Sequence, residues 1–197
     1  MIRRSLPVAS VAALVVAVAV AVAVAGVGTA DFGASATDAT AATEIDSCTT
    51  IEQSGTYVLT SDIEDGGNTA ISESCIEIRA DGVTLDGDNH TLDGRGVSHT
   101  KGITVSANDV TIRNLGVNDW HYGIWVRDGS ATIDGVRTFS NAYGVRLQNA
   151  KGSTVTNATV EDNLIGIYAD SGTGLSVEEN NLSGNQIDVK YADSEQS

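Results

Sequence analysis

The sequence holds one proline, Pro7, close to its start. No later turn can rest on proline's fixed φ, so glycine and asparagine must do the turning, because they accept positive φ at low cost. There are two cysteines, Cys48 and Cys75, and one methionine. Metal binding at the cysteines would need more soft ligands than these supply. His90, His99 and His121 are scattered, and with a single methionine they make a poor copper set. No metal and no other cofactor is expected. Positive charge is scarce too: 11 Lys and Arg stand against 26 Asp and Glu, for a formal charge of −15, and only Lys101, Lys151 and Lys190 are lysines. A chain this acidic repels nucleic acid and anionic lipid. Also missing is any window of 11 residues with a helical apolar stripe, which excludes a helical domain.

What is present begins with Arg3 and Arg4, an apolar run from Leu6 to about Val27, and small residues at Gly28-Thr29-Ala30 and Ala34-Ser35-Ala36. This reads as an export leader over residues 1–30. The run is long enough to span a bilayer, so it serves either as a cleaved signal or as a retained N-terminal anchor. Losing the two arginines takes the formal charge from −15 to −17. Both readings place the remainder outside the cytoplasm, secreted or on the cell surface, with membrane contact only through the leader. Residues 31–46, rich in Ala, Thr, Ser and Asp, read as a disordered linker. A domain over residues 47–191 and a polar tail over residues 192–197 complete the chain.

The domain is built on a repeat. Gly102-Ile103, Gly123-Ile124, Gly144-Val145 and Gly166-Ile167 recur at spacings of 21, 21 and 22 residues. Leu85, Ile112, Ile133, Val155 and Val177 keep step, at 27, 21, 22 and 22. Self-similarity of this length means a solenoid. Short strands such as Gly82-Val83-Thr84-Leu85-Asp86-Gly87 alternate apolar and polar residues and stop at Asp-Gly or Asn. Val110–Asn114 aligns with Ala131–Gly135, Ser153–Asn157 and Leu175–Glu179. A further column runs through Val117, Thr138, Val160 and Leu182. Three strands and three turns per repeat predict an all-β fold: a single-stranded right-handed parallel β-helix of about six short coils, roughly 30 Å tall. Gly87, Asn114, Gly135 and Asn157 form an expected left-handed corner column. Glu179 interrupts it, so a distorted last coil is expected.

The Gly-Ile-x-Val and Val-Thr-Ile-x-Asn patterns resemble the repeats of NosD-like and carbohydrate-associated (CASH-type) β-helix proteins. The stretch from Cys75 to Gly94 is similar to the first coils of such proteins exported by halophilic archaea. The resemblance covers about Cys48 to Tyr191. It implies the fold and says little of function, because this fold carries lyases, hydrolases, adhesins and accessory proteins alike.

The two cysteines in an exported chain favour a disulfide, and their separation of 27 residues would set them on adjacent coils. Strand alternation places Thr104, Trp125, Arg146, Tyr168 and Asp188 in one outward column, with Ser106, Arg127, Gln148, Asp170 and Lys190 beside it. Trp120, His121, Tyr122 and Tyr143 join from the turns. The candidate ligand face is therefore Trp120, His121, Tyr122, Trp125, Arg127, Tyr143, Arg146 and Tyr168. Flat rings stack on sugars, and guanidinium pairs with carboxylate, so an acidic polysaccharide or a cell-surface protein is the expected partner. A purely structural ladder with Arg146 over Trp125 accounts for the same residues. The enzymatic alternative, a lyase or hydrolase of acidic polysaccharide, would draw on Asp128, Asp134, Asp170, His121, Arg127 and Arg146. Short turns leave little material for a deep cleft, which favours a non-catalytic protein. Asn89, Asn157 and Asn181 head glycosylation sequons, with Asn157 expected to turn inward at its corner. An uncovered last coil near Tyr191 makes end-to-end self-association a further expectation.

Overall fold

The computed structural model describes residues 41–170, 176–177 and 179–192. The expected leader, most of the linker and most of the tail lie outside the described residues. Among the described residues no helix is long and apolar enough to cross a membrane.

Among the described residues, short runs of β-branched residues separated by turns give 18 strands in three parallel sheets. The first sheet stacks β1 (Thr43–Ile45), β3 (Gly55–Leu59), β5 (Val83–Asp86), β8 (Val110–Arg113), β11 (Ala131–Asp134) and β14 (Thr154–Thr156). The second stacks β2 (Thr49–Ile51), β4 (Ser74–Ile78), β7 (Lys101–Val105), β10 (Tyr122–Arg127), β13 (Tyr143–Gln148), β16 (Ile165–Ala169) and β18 (Ile187–Tyr191). The third stacks β6 (Thr91–Asp93), β9 (Gly116–Asn118), β12 (Arg137–Phe139), β15 (Thr159–Glu161) and β17 (Asn181–Ser183). The chain visits the three sheets in rotation, which is the winding of a parallel β-helix. The domain starts earlier than Ser47: Thr43, Glu44 and Ile45 pair with Tyr57, Val58 and Leu59.

Stacking equivalent positions makes the core. Ile76, Ile103, Ile124, Val145 and Ile167 align across the second sheet, and Leu85, Ile112, Ile133 and Val155 across the first. All are at most 1% exposed. Burying each such side chain contributes about 1.5–3 kcal/mol, offset by the conformational entropy lost in ordering the chain. Cys48 and Cys75 form a disulfide of 1.99 Å where β2 lies on β4, as their spacing predicts.

Glycine has a specific task in the second sheet. A Cβ at Gly102, Gly123 or Gly144 would lie 2.7 Å from the carbonyl oxygen of the next coil's glycine. Beside this glycine column runs an internal asparagine ladder. Asn141 Nδ2 donates to Val117 O and to Asn163 Oδ1, and Asn163 Nδ2 donates to Thr138 O and to Asn185 Oδ1. The backbone N–H groups of Trp120, Asn141 and Asn163 donate to the Oδ1 of Asn141, Asn163 and Asn185 in turn. Each coil thus satisfies buried polar groups of the coil before it.

Two corner expectations change. Gly87 does not take positive φ; Asp88 and Asn89 do so in that coil, at 45° and 67°. A Cβ on Gly87 would sit 2.5 Å from Asn114 O, so close approach is what requires glycine there. Glu179 keeps the corner, at φ 64°, beside Asn114 at 51° and Asn157 at 51°. The last coil is thin all the same, since among the described residues a lone bridge, Thr154 to Ser176, continues the first sheet.

Candidate functional site

The outer surface of the second sheet carries Lys101, Arg127, Arg146 and Lys190 beside Tyr122, Trp125, Tyr143 and Tyr168. Its central column is Glu77, Thr104, Trp125, Arg146, Tyr168 and Lys190 by strand register. The last member is Lys190, not the expected Asp188: the 22-residue step from Tyr168 leads to Lys190, and the expected column stops two residues short of it. Val189 pairs with Ile167, 22 residues on, so the final strand keeps the register of the repeat and Asp188 falls at the glycine position. One step along, Lys101, Tyr122 and Tyr143 form a second column.

Arg146 is the centre of this surface. Its guanidinium carbon lies 5.1 Å from the Tyr122 ring, 5.4 Å from Trp125, 5.7 Å from Tyr143 and 5.4 Å from Tyr168. Nη1 donates to the Tyr122 hydroxyl at 2.9 Å. The rings also touch one another: Tyr122 lies 5.2 Å from Trp125 and 5.1 Å from Tyr143, and Tyr143 lies 5.8 Å from Tyr168. Arg79, Arg113 and Arg137 are paired with carboxylates, but among the described residues Arg146 makes no such pair. Arg146 Nε and Trp125 Nε1 are both buried without an acceptor.

A cleft of about 150 Å³ opens beside Trp125, lined among others by Glu73, Glu77, Lys101, Thr104 and Arg127. Lys101 Nζ and the Arg127 guanidinium stand 5.6 and 5.5 Å from the Trp125 ring. Lys101 donates to Ser72 O. Its pKa is lowered, chiefly by burial, with Glu73 and Glu77 pulling the other way and Arg127 adding to the lowering. The cleft is shallow by the standard of enclosed small-molecule sites, which run to about 300–1,000 Å³.

His121 stacks on His99, with centroids 5.2 Å apart and planes 7° from parallel, and meets Tyr122 edge-on at 4.3 Å. Burial lowers its pKa, and the charges of His99, Arg146 and Lys101 lower it further.

Trp120 belongs elsewhere. It is 2% exposed, and Nε1 donates to Leu92 O at 3.1 Å. Its indole fills space left by three glycines: a Cβ on Gly66, Gly94 or Gly102 would stand 3.2, 2.9 or 3.2 Å from it. The residue occupies the ladder position that asparagine takes in the later coils, so it is a core residue and not a surface ring. The sequence signals this in Trp120-His-Tyr-Gly123, Asn141-Ala-Tyr-Gly144, Asn163-Leu-Ile-Gly166 and Asn185-Gln-Ile-Asp188, whose first members repeat at 21, 22 and 22 residues.

The candidate catalytic carboxylates are not assembled on one surface. Asp134 lies in β11 on the first sheet and accepts from Asn157 Nδ2 at 2.8 Å. Asp128 and Asp170 share Asn149, which donates its Nδ2 to the first and its N–H to the second. Both therefore act at the corner, and Arg127 lies 3.6 Å from Asp128. Among the sequon residues, Asn89, Asn157 and Asn181 are all exposed. The expected inward turn of Asn157 is not seen, although its amide nitrogen is held by Asp134.

A family model described as periplasmic copper-binding protein (NosD) matches residues 27–197. The chain belongs to the NosD family. No curated protein and no solved structure matches it. The family's description raises copper, and the described residues do not fit that ion. Imidazole lone pairs lie in the ring plane, so the near-parallel rings of His99 and His121 do not converge on one point. His90 is engaged with Asp62 at 3.1 Å, and both cysteines are consumed in the disulfide. Among the described residues no group of three His, Cys, Asp or Glu could hold a metal. In this NosD-family chain the side chains that cluster are rings and cations.

Proposed function

We propose that this NosD-family protein works outside the cytoplasm as a non-catalytic β-helix that binds an acidic glycan across the outer surface of its second sheet. The observation that carries this reading is Arg146, a cation among four rings with no carboxylate partner among the described residues, in a chain of charge −15. Ring faces hold sugar rings, and a guanidinium near them recognises a uronate or sulfate. Arg127, Lys101 and Lys190 extend the positive surface along the stack. The buried Nε of Arg146 and Nε1 of Trp125 would gain acceptors if a ligand oxygen entered the cluster after a side-chain adjustment. An open face of short strands suits a chain lying across several coils, and the acidic remainder of the surface suits a salt-rich medium.

Titration of oligouronates and sulfated oligosaccharides in high salt tests the proposal. Arg146→Ala and Trp125→Ala should each weaken binding at least tenfold. Binding at wild-type strength in both variants would remove the glycan reading. Unsaturated uronate absorbance, or new reducing ends in the same mixtures, would replace it with the lyase or hydrolase.

A further inference from the structure

The two ends of the solenoid are unlike. At the first coils the core is sealed: Ile51, Leu59 and Ile63 are at most 5% exposed. At the last coil it is open. Val177, Leu182 and Val189 are only partly buried, while Ile187 and Tyr191 are 42% and 51% exposed. Among the described residues, nothing pairs with the outer edge of β18.

A second feature decides what can cover that edge. Asp188 stands at the glycine position of the second sheet. At Gly102, Gly123, Gly144 and Gly166 a Cβ would strike the next coil's carbonyl, and at Gly166 that clash is with Asp188 O at 2.6 Å. A further coil stacked in parallel on β18 would therefore meet the Asp188 side chain. One of its oxygens already accepts from Asn185 Nδ2 at 3.0 Å, closing the ladder. The opposite end of the molecule could not receive this carboxylate either, because Glu44, Asp46 and Glu52 lie there.

We infer that the last coil is a self-association surface, on which a second copy of this chain docks tail to tail about a two-fold axis through Val189. The sequence of β18, Ile187-Asp188-Val189-Lys190-Tyr191, is complementary to itself when antiparallel. Centred on Val189, the arrangement sets Asp188 opposite Lys190 of the second copy, and the reverse, and sets each Ile187 against a Tyr191. Both charges are then matched twice, and the exposed apolar residues are covered. A parallel head-to-tail contact sets Asp188 against Glu44, Asp46 and Glu52, with Arg79 already held by Glu52 and Glu77, so the assembly closes at two copies and does not grow into a filament.

Sedimentation of the full chain in high salt, over a range of concentrations, should show a monomer–dimer equilibrium with no larger species. Lys190→Glu and Asp188→Lys each set like charges against one another and should weaken the dimer about tenfold. An equimolar mixture of the two variants should restore it, because one copy then carries acidic side chains at both positions and faces basic side chains at both positions of the other. Circular dichroism of each variant separates unfolding from loss of docking. A wild-type chain that stays monomeric, an open-ended series of oligomers, or a mixture no tighter than its components would each overturn the inference.

Discussion

Arg146 donates from Nη1 to the hydroxyl of Tyr122, 2.9 Å away on the preceding coil, while its own Nε is buried with no acceptor. The guanidinium is therefore pinned at one nitrogen and unsatisfied at another. Tyr122→Phe keeps the ring and removes the pin. It should cost about 1 kcal/mol in urea unfolding and should reduce glycan affinity less than Arg146→Ala does. Equal losses in the two variants would mean that the hydroxyl, and not the charge, is what the ligand reads.

The two tryptophans should behave oppositely. Trp120 is 2% exposed and hydrogen-bonded to Leu92 O. Trp120→Ala should cost about 3–5 kcal/mol, the usual range for removing a buried ring. Trp125 is half-buried on the outer surface, so Trp125→Ala should cost about 1 kcal/mol or less and act on binding. Chemical denaturation of both variants separates them, and similar midpoints would contradict the assignment.

Asn163 bonds to the coils on either side of it. Asn163→Ala strips the acceptor from the Asn141 N–H, leaves Thr138 O without its donor, and removes one acceptor of Asn141 Nδ2, which keeps Val117 O and Phe139 O. Abandoned buried polar groups cost about 1–3 kcal/mol each, so the variant should be among the least stable single changes in the domain. Asn185→Ala, one coil nearer the open end, should cost less. Amide exchange should show the loss first in the coils that flank residue 163.

Stability should fall as pH drops from 7. Burial, with the charges of His99, Arg146 and Lys101, holds the His121 pKa below its ordinary 6.5. The unfolded chain then takes up a proton near 6.5 that the folded chain still refuses, so unfolding gains as pH falls through that window and the loss levels off below the folded pKa. His121→Asn should flatten this slope. A second loss belongs to more acid solution. Asp62 is held below 3.8 by the Thr91 N–H and by His90. In Asp86 burial acts to raise the pKa and is outweighed by the Asp88 N–H, Asn114 and Arg113. These carboxylates stabilise the fold above about 3.8, and that contribution disappears as they protonate below it. Thermal midpoints of the wild type and His121→Asn between about pH 4.5 and 7.5 would show whether the first window exists.

Reduction of Cys48–Cys75 should cost about 3.5 kcal/mol, by the loop-closure entropy for a separation of 27 residues. The loss should be concentrated in the first coils, where the bridge ties β2 to β4. Protease should cut the reduced chain near its start before it cuts the later coils.

The columns Gly102–Gly166 and Leu85–Val155 can be read from the sequence because a solenoid repeats its constraints at a fixed interval. The bridge and the outward placing of Trp125 and Arg146 follow from the same interval. At the last coil the 22-residue interval continues, from Tyr168 to Lys190, but aspartate replaces glycine at 188; without that glycine to anchor the count, the expected column stops two residues short. Trp120 misleads for another reason. Its neighbours in sequence face outward, and the space that admits it is made by Gly66, Gly94 and Gly102, two of them many residues earlier. The clustering of Arg146 with four rings depends on side-chain reach across coils, which alternation alone does not set.

The asparagine ladder also makes this molecule adjustable in length. Residues 142–163 carry their own glycine, their own corner and their own asparagine, and they present to the following coil the same hydrogen-bonding surface that they receive from the preceding one. A duplicated copy of those 22 residues would find its partners ready-made on both sides. It would lengthen the outer surface by about 4.8 Å and add one more tyrosine and one more arginine. The protein can in that sense be extended one sugar-sized step at a time, with the reach of its surface set by how many times one segment of sequence has been copied.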